Sequence, residues 1–346
     1  MRMLFVIEAG FKAGLGHLLR CRVLLLEMRR RGHQADLWLH GDETALAGRD
    51  WPAETRIFHS DVAAPISAVC QSICEVLAHN RYDWLAIDGY GFFGTSLYEQ
   101  FAATGVKVLM LDDLADREFK ADIVLNQNSA CSEIYTDRPI ESFRFLLGTQ
   151  YALIDPVYAA NRGIFRDQGE LRRLLVTFGG VDRYGRTLRV VDLLSQYTPS
   201  LQIVVAVGPY FPFAAEVESR SGGHHVIQVV RNVRDLSELM RQCDLMVTAG
   251  GSTVWQACCV GAPMLVLQTI DNQALVVKTL RECGAALCLD VSVRPEENGG
   301  ILEKEFVEAF RQVADAAVRA GLSANAMRLV DGNGASRVAE VLESWE

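Results

Sequence analysis

The hydrophobic positions of this sequence form short apolar runs separated by longer amphipathic stretches. The runs lack the alternation of a half-exposed strand, as expected for parallel strands covered on both faces. In the first half they occupy residues 3–7, 35–40, 84–88, 107–111 and 123–126. Helical spacing occurs at about residues 18–31, 66–79 and 96–104. Strands that alternate with helices predict a parallel α/β sheet.

The same pattern restarts after a predicted boundary between residues 155 and 169. Further strands are predicted at residues 174–178, 203–207, 225–229, 245–248, 264–267 and 286–289. Helices are predicted up to residue 194 and at residues 303–320 and 336–345. We therefore expect two similar Rossmann-like domains, 1–155 and 156–346, that face a central cleft. Whether the last helix packs back on the first domain is left open.

Composition restricts the class of protein. A length of 346 residues suits about two domains, and a net charge of −9 argues against a general nucleic-acid or anionic-membrane surface. The nine cysteines are odd in number and form no Cys-x-x-Cys pair, which favours reduced core thiols in a cytoplasmic protein. Cys70 and Cys74 lack a histidine at zinc spacing, so no metal is expected. No run is long enough for stable membrane insertion.

The stretch from residue 244 to 268 predicts a strand, a glycine turn, a helix and a second strand. Gly250 and Gly251 lack the Cβ atoms that would hold a ligand away from the backbone. Ser252 or Thr253 is expected to cap the helix, whose first N–H groups attract anions. A diphosphate would fit this turn, and Gly179 with Gly180 forms a second phosphate-compatible loop. An ordinary strand-to-helix turn remains the alternative.

Two other loops place candidate catalytic residues at strand ends. His17 follows Gly14 and Gly16 and begins a helix, whose N-terminus should keep the imidazole neutral and able to accept a proton from water. A capping or core histidine is the alternative. Tyr90 follows the third predicted strand, and its hydroxyl could orient a sugar or the attacking water. The alternative is a structural role, in which the aromatic ring covers the edge of the sheet.

A dinucleotide site is disfavoured by the first glycine-rich loop. Leu19 stands where the third glycine of the fingerprint belongs, and the loop is too long for the tight turn. Asp36 begins the second strand instead of ending it. A Gly-Lys-Ser/Thr phosphate loop is also missing from the sequence, so nucleoside triphosphate hydrolysis has no support.

These residues together resemble the UDP-sugar hydrolases of pseudaminic acid biosynthesis over essentially the whole chain. The matching motifs are Gly14-x-Gly16-His17-x-x-Arg20-Cys21, Asp88-x-Tyr90-Gly91, Gly179-Gly180-x-Asp182, Gly250-Gly251-Ser252-Thr253-x-Trp255, Asp271-Asn272-Gln273 and Asp331-Gly332-x-Gly334-Ala335. That family is similar to the bacterial transferase that adds N-acetylglucosamine to the lipid-linked peptidoglycan precursor. The resemblance implies the GT-B arrangement of two Rossmann-like domains.

The resemblance also implies site roles. The diphosphate of UDP would be held by Gly179, Gly180, Gly250, Gly251, Ser252 and Thr253. Other contacts to the substrate or to UDP would come from Gly14, Gly16, Asp182, Gln256, Asn272 and Gln273. His17 would activate water, Tyr90 would help to place sugar or water, and no cofactor or metal is expected. Two residues depart from the family pattern: Glu8 stands one position short of the usual aspartate, and Gln256 replaces a common glutamate.

The resemblance implies that water displaces UDP from a UDP-linked 2,4-diacetamido-2,4,6-trideoxyhexose with inversion. The expected partner is thus a small UDP-sugar, while the oligomeric state is not predicted. A GT-B glycosyltransferase with a sugar or lipid acceptor is the first alternative. A non-catalytic nucleotide-sugar-binding protein is the second.

Overall fold

The chain divides into two compact units. The computed structural model describes residues 1–10, 15–92, 94–118, 120–136, 144–163, 169–180, 182, 184–197, 200–208, 211–222, 224–291 and 303–345. One unit comprises Met1–Ile154 and Asn333–Glu346, and the other comprises Asp155–Gly332. The last residues therefore group with the first unit, whereas the sequence boundaries placed them in the second domain.

The described residues of the first unit form a seven-stranded parallel sheet. Its strands are β1 (Arg2–Ala9), β2 (Gln34–Gly41), β3 (Ile57–Ser60), β4 (Trp84–Asp88), β5 (Lys107–Leu111), β6 (Ile123–Asn126) and β7 (Arg144–Leu147). They lie in the order β3-β2-β1-β4-β5-β6-β7, with parallel pairing throughout. The strand order reverses between β1 and β4. Open α/β sheets bind ligands at the carboxyl ends of strands at such a switch point.

Helices on both faces explain the non-alternating strands. The sheet is covered by α1 (Gly16–Arg30), α2 (Ile66–Asn80) and α3 (Thr95–Ala102). Met3 and Ile7 of β1 share a core with Leu18 of α1. Leu4 points to the other face, where it shares a core with Ile73 of α2. Every position of the strand interior is therefore buried and apolar, as a doubly covered strand requires.

The second unit repeats this architecture. Its strands are β8 (Arg173–Thr177), β9 (Gln202–Val207), β10 (Val226–Arg231), β11 (Leu245–Ala249), β12 (Met264–Gln268) and β13 (Leu287–Asp290). Its helices are α4 (Pro156–Ala160), α5 (Arg186–Leu194), α6 (Ala214–Glu218), α7 (Ser237–Gln242), α8 (Thr253–Val260), α9 (Ala274–Glu282), α10 (Glu303–Ala314) and α11 (Ala316–Leu329). The strand order β10-β9-β8-β11-β12-β13 is the 3-2-1-4-5-6 order of the Rossmann fold, with its switch point between β8 and β11.

The last helix, α12 (Gly334–Glu343), packs against α1 in the first unit. Val338 and Leu342 join the same core as Met3. A Cβ atom on Gly334 would stand 2.1 Å from the Ala152 carbonyl oxygen, so only glycine allows this close approach.

Two features differ from the sequence expectation. The single helix predicted over residues 303–320 is wrong, because Asp315 ends α10 and caps α11 by accepting a hydrogen bond from Ala317 N at 2.7 Å. The edge strands β3 and β7 were not predicted. β3 is short, and Ile57 is 40% exposed, so its pattern carries little of the hydrophobic signal that marks the buried strands.

Candidate active site

The switch point of the first sheet brings His17 and Asp88 together. His17 is the second residue of α1, and Asp88 is the last residue of β4, the neighbour of β1. His17 Nδ1 lies 2.5 Å from Asp88 Oδ1, although the two residues are 71 positions apart in the sequence. Both side chains are buried. Gly16 begins α1, whereas Gly14 lies outside the described residues.

This contact determines which nitrogen of His17 carries the proton. Burial raises the pKa of Asp88, but Arg20 and His17 outweigh burial and hold that pKa well below its usual range. The carboxylate can therefore only accept, and His17 Nδ1–H donates to it. In the neutral ring, Nε2 is then left unprotonated and can accept a proton. The sequence motif contains Asp88, but the sequence pattern alone indicates no role for it.

The helix start is not the only influence on the pKa of His17, and the prediction of a neutral ring stays a prediction. Burial does lower this pKa, but the charge and hydrogen bond of Asp88 raise it, Arg20 lowers it and Asp113 raises it. The net pKa is raised from the ordinary histidine value. His17 is consequently a stronger proton acceptor than an isolated imidazole, and its neutral form predominates only above the raised pKa.

Arg20 joins Asp88 to a second carboxylate. Its Nε and Nη2 donate to the two oxygens of Asp88, each at 2.6 Å. Its Nη1 and Nη2 donate to Oδ1 and Oδ2 of Asp113 at 2.6 and 3.0 Å. Burial lowers the pKa of Arg20, yet the two carboxylates raise it well above its usual value, so the guanidinium stays charged. Sequence analysis missed Asp113 as a site residue, although its place just after β5 was a usable signal.

Tyr90 packs edge-on against the ring of His17. The ring centroids are 5.0 Å apart at an interplanar angle of 87°, and the Tyr90 hydroxyl donates to Asp113 Oδ2 at 3.4 Å. Glu8 Oε2 accepts from the backbone N–H of Gly91 at 3.2 Å. Glu8 therefore holds the loop that carries Tyr90. A role for Tyr90 in placing sugar or water stays a prediction.

The start of α8 is the best anion site in the second unit. Among the described residues, the backbone N–H groups of Gly251, Ser252 and Thr253 have no hydrogen-bond partner. Ser252 occupies the predicted N-cap position, but its side chain makes no capping hydrogen bond. A Cβ on Gly251 would meet nothing within 4 Å, whereas one on Gly250 would stand 3.0 Å from Val277 Cγ2. Gly251 thus leaves space outside the turn, and Gly250 serves internal packing.

The loop after β8 is arranged differently. Asp182 is buried, and its two carboxylate oxygens accept from the N–H groups of Arg186 and Thr187 at 3.0 and 2.6 Å. It therefore caps α5, and a contact with UDP stays a prediction. Gly179 has a φ of +80°, a conformation that favours glycine. A Cβ on either Gly179 or Gly180 would meet nothing within 4 Å.

Arg186 was missed by sequence analysis. Its side chain is 4% exposed, and within the described part of the chain Nε is buried without a hydrogen-bond partner. Nη2 donates to the carbonyl oxygen of Thr269 at 2.9 Å, and no carboxylate pairs with the guanidinium among the described residues. Burial lowers the pKa of Arg186. The nearby charge of Asp182 opposes this lowering but forms no ion pair with the guanidinium among the described residues. A buried cation in this setting, one loop away from free N–H groups, suits an anionic ligand.

The remaining predicted residues lie near this loop. Gln273 Oε1 accepts from the N–H and hydroxyl of Thr269 at 2.8 and 3.1 Å, and it would stand 3.4 Å from a Cβ on Gly250. Gln273 therefore ties the loop after β12 to the turn after β11. Asn272 and Gln256 are partly exposed, and their contacts with nucleotide remain predictions.

All nine cysteines are free, and five of them are buried. Within the described ranges, no helix is long and apolar enough to cross a membrane. In the same ranges, no group of three or more His, Cys, Asp or Glu side chains is arranged to hold a metal ion.

Solved structures share the architecture over the full chain. MurG of Acinetobacter baumannii superposes with a TM-score of 0.70 at 15% identity and covers 100% of both chains. The spinosyn rhamnosyltransferase SpnG, in complex with thymidine diphosphate, gives a TM-score of 0.68 at 18% identity over 99% of both chains. The chain has the GT-B fold. At these identities the likeness concerns the fold alone.

Curated relatives are distant. The spore coat polysaccharide biosynthesis protein SpsG of Bacillus subtilis is 23% identical over 97% of this chain and 96% of its own length. A Helicobacter pylori protein named pseudaminic acid cytidylyltransferase and UDP-2,4-diacetamido-2,4,6-trideoxy-beta-L-altropyranose hydrolase is 22% identical over 82% of this chain. This chain spans 47% of that protein. No family model matches the sequence.

Proposed function

We propose that this protein hydrolyses a UDP-sugar, with His17 of the first unit as the general base. The observation that carries the proposal is the buried Asp88–His17 pair at a switch point, with His17 Nε2 free to accept a proton. The contact at 2.5 Å holds the ring in one tautomer and one orientation. General-base activation of water requires both.

In the proposed step, His17 Nε2 takes a proton from water while the water oxygen bonds to the anomeric carbon. The bond from that carbon to the diphosphate oxygen breaks, and its electron pair leaves with UDP. Attack from the face opposite the leaving group inverts the anomeric centre. The imidazolium later returns its proton to solvent, so no other reactant is consumed.

The second unit is the proposed binding site for UDP. The free N–H groups of Gly251, Ser252 and Thr253 and the positive end of the α8 dipole would bind diphosphate oxygens. Arg186 would supply a positive charge that persists as the leaving group gains negative charge. The remaining predicted contacts of Gly179, Gly180 and Gln256 belong to this proposal.

The proposed sugar is a 2,4-diacetamido-2,4,6-trideoxyhexose. Two things support it: the motif resemblance across the chain and the hydrolase activity in the name of the Helicobacter relative. The release of free sugar would serve nonulosonic acid biosynthesis. The relationship to SpsG supports the broader class of sugar biosynthesis.

A glycosyltransferase is the second candidate, favoured by the GT-B fold that MurG and SpnG share with this chain. The same His17 would then deprotonate an acceptor hydroxyl in place of water. The two candidates differ in one measurable respect: a hydrolase releases UDP without any acceptor.

The test supplies a panel of UDP-sugars without acceptor and follows UDP and sugar by ³¹P and ¹H NMR. We expect stoichiometric release of UDP and of the inverted sugar, lost in His17→Asn and kept in His79→Asn, which changes an exposed histidine of the same unit. Release that needs an added acceptor would establish the transferase. Binding of UDP-sugar without release under either condition would favour a non-catalytic binding protein.

A further inference from the structure

The carboxylate of Asp113 lies on the far side of Arg20 from the His17–Asp88 pair. The guanidinium makes two bonds to Asp88 and two to Asp113. Asp113 also accepts from Asn128 Nδ2 at 2.8 Å. Asp113 makes no hydrogen bond to the His17 ring in the described structure, whereas Asp88 holds Nδ1 directly, so the bonds of Asp113 to Arg20 go beyond what is needed to orient the base.

We propose that Asp113 is a positioning residue for catalysis: by pairing with Arg20, it leaves the negative charge of Asp88 available to His17. This inference rests on the proposed role of His17 as a base. Without Asp113, the single positive charge of Arg20 would cancel the single negative charge of Asp88. His17 would then gain little from its carboxylate partner.

The net charge of the cluster explains how Asp113 favours proton transfer to His17. Asp88 and Asp113 carry two negative charges, and Arg20 carries one positive charge, so the buried group has a net charge of −1 beside neutral His17. When His17 accepts a proton from water, the net charge becomes zero. Charge interactions are strong in a buried site, so this neutralisation favours proton transfer to His17. The direction of the His17 pKa agrees, because Asp113 raises it.

Other groups that face the cluster do not replace Asp113. They include the Tyr90 ring against His17, the Cys21 thiol that donates to Asp88 at 3.3 Å, and Glu8, which accepts from the Gly91 N–H in the neighbouring loop. The buried carboxylate of Asp112 accepts from the Tyr135 hydroxyl at 2.6 Å. Burial raises the pKa of Cys21 well above its usual value, so the thiol stays neutral. Among the described groups, Asp113 is thus the carboxylate that pairs with Arg20 in addition to Asp88.

The test is a histidine titration that needs no turnover. The full chain with ¹⁵N-labelled histidine is titrated by NMR, and the His17 signal is assigned by its absence in His17→Asn. In Asp113→Asn we expect the His17 midpoint to fall by on the order of one pH unit. Asp113→Glu keeps the charge and should stay close to wild type. Glu99→Gln removes a charge from an exposed pair with Lys120 and should change nothing.

A double variant, Arg20→Gln with Asp113→Asn, sharpens the test. It leaves Asp88 as the one charge beside His17, so the net charge returns to −1 and the midpoint should return towards wild type. The double variant also removes the Arg20 guanidinium, which would otherwise have lost its pairing with Asp113. It therefore serves as the test if the Asp113→Asn protein does not fold. A double variant with a clearly lowered midpoint would overturn the proposal.

Activity separates this inference from the proposed function. If the protein is a hydrolase, the acid limb of kcat/KM for UDP release should move with the His17 midpoint while KM changes little. A folded Asp113→Asn protein with an unchanged midpoint overturns the inference at any level of activity. A shifted midpoint in a protein that hydrolyses no UDP-sugar supports the inference and rejects the proposed function.

Discussion

Replacement of Asp88 by asparagine changes one atom and removes the charge that supports His17. Two donors meet each carboxylate oxygen: His17 Nδ1 and Arg20 Nη2 at Oδ1, and Arg20 Nε and Cys21 Sγ at Oδ2. An amide has one oxygen, so two of these four donors lose their acceptor in either orientation.

The magnitude follows from that count. Each hydrogen bond to a charged group contributes about 1.5–3 kcal/mol, and an asparagine that faces His17 with its oxygen loses one such bond from Arg20 and a weaker one from Cys21. Arg20 keeps both bonds to Asp113. We therefore expect the free energy of unfolding to fall by about 2–4 kcal/mol, with a folded protein remaining.

The loss in catalysis should exceed the loss in stability. The amide can also turn its NH2 group towards His17 Nδ1, which favours the wrong tautomer, and the charge that stabilises the imidazolium is lost in either orientation, so kcat for UDP release should drop by about a hundredfold or more. The pKa of His17 should fall because its main supporting charge is gone. Since the base is active when unprotonated, the acid limb of kcat/KM should move to lower pH.

The assay combines the pH dependence of UDP release with thermal unfolding. Asp61→Asn is the control, because Asp61 is exposed and its carboxylate accepts from the Ala63 N–H of its own turn. An Asp88→Asn protein with native kcat and a native acid limb would refute the pairing of Asp88 with the base.

Three further predictions concern the second unit. Gly251→Val should weaken UDP binding in calorimetry without unfolding the protein. Gly250→Val should lower Tm, because its side chain meets Val277. Equal losses of UDP affinity and of Tm in the two variants would contradict the separate roles of the two glycines. Asp182→Ala should lower the free energy of unfolding by about 1 kcal/mol, because the first N–H groups of α5 lose their acceptor. Denaturant unfolding measures this change, and an unchanged free energy of unfolding would exclude the capping role. Arg186→Gln should weaken UDP binding by about tenfold or more with little change for uridine; an equal effect on uridine would exclude a diphosphate contact.

Much of the fold could be predicted because its information is local. Doubly covered strands are apolar at every position, and the predicted limits of 84–88, 107–111 and 123–126 match β4, β5 and β6. The misses occurred where local patterns are weak or ambiguous. β3 is short and partly exposed, and an aspartate inside a helical stretch, Asp315, can lie mid-helix or start a new helix.

The site was less predictable because its chemistry depends on distant residues. The position of His17 at a helix start was evident, but its charge state was assigned from the helix dipole alone. Asp88 lies 71 positions away and raises the pKa of His17, which the helix dipole alone would lower. Arg186 was missed for a similar reason: its significance lies in the lack of a carboxylate partner among the described residues, which only the folded arrangement reveals.

The two sheets have opposite electrostatic character at equivalent switch points. The first surrounds His17 with net negative charge, which stabilises the proton taken from water. The second presents Arg186 and the N–H groups near Gly251, which stabilise negative charge on a diphosphate. If the units divide the work in this way, Asp88→Asn should lower kcat but leave the Kd for UDP unchanged, whereas Arg186→Gln should raise that Kd. Calorimetry with UDP, which needs no turnover, measures both values. An Asp88→Asn protein that loses UDP affinity as Arg186→Gln does would show that the division is wrong.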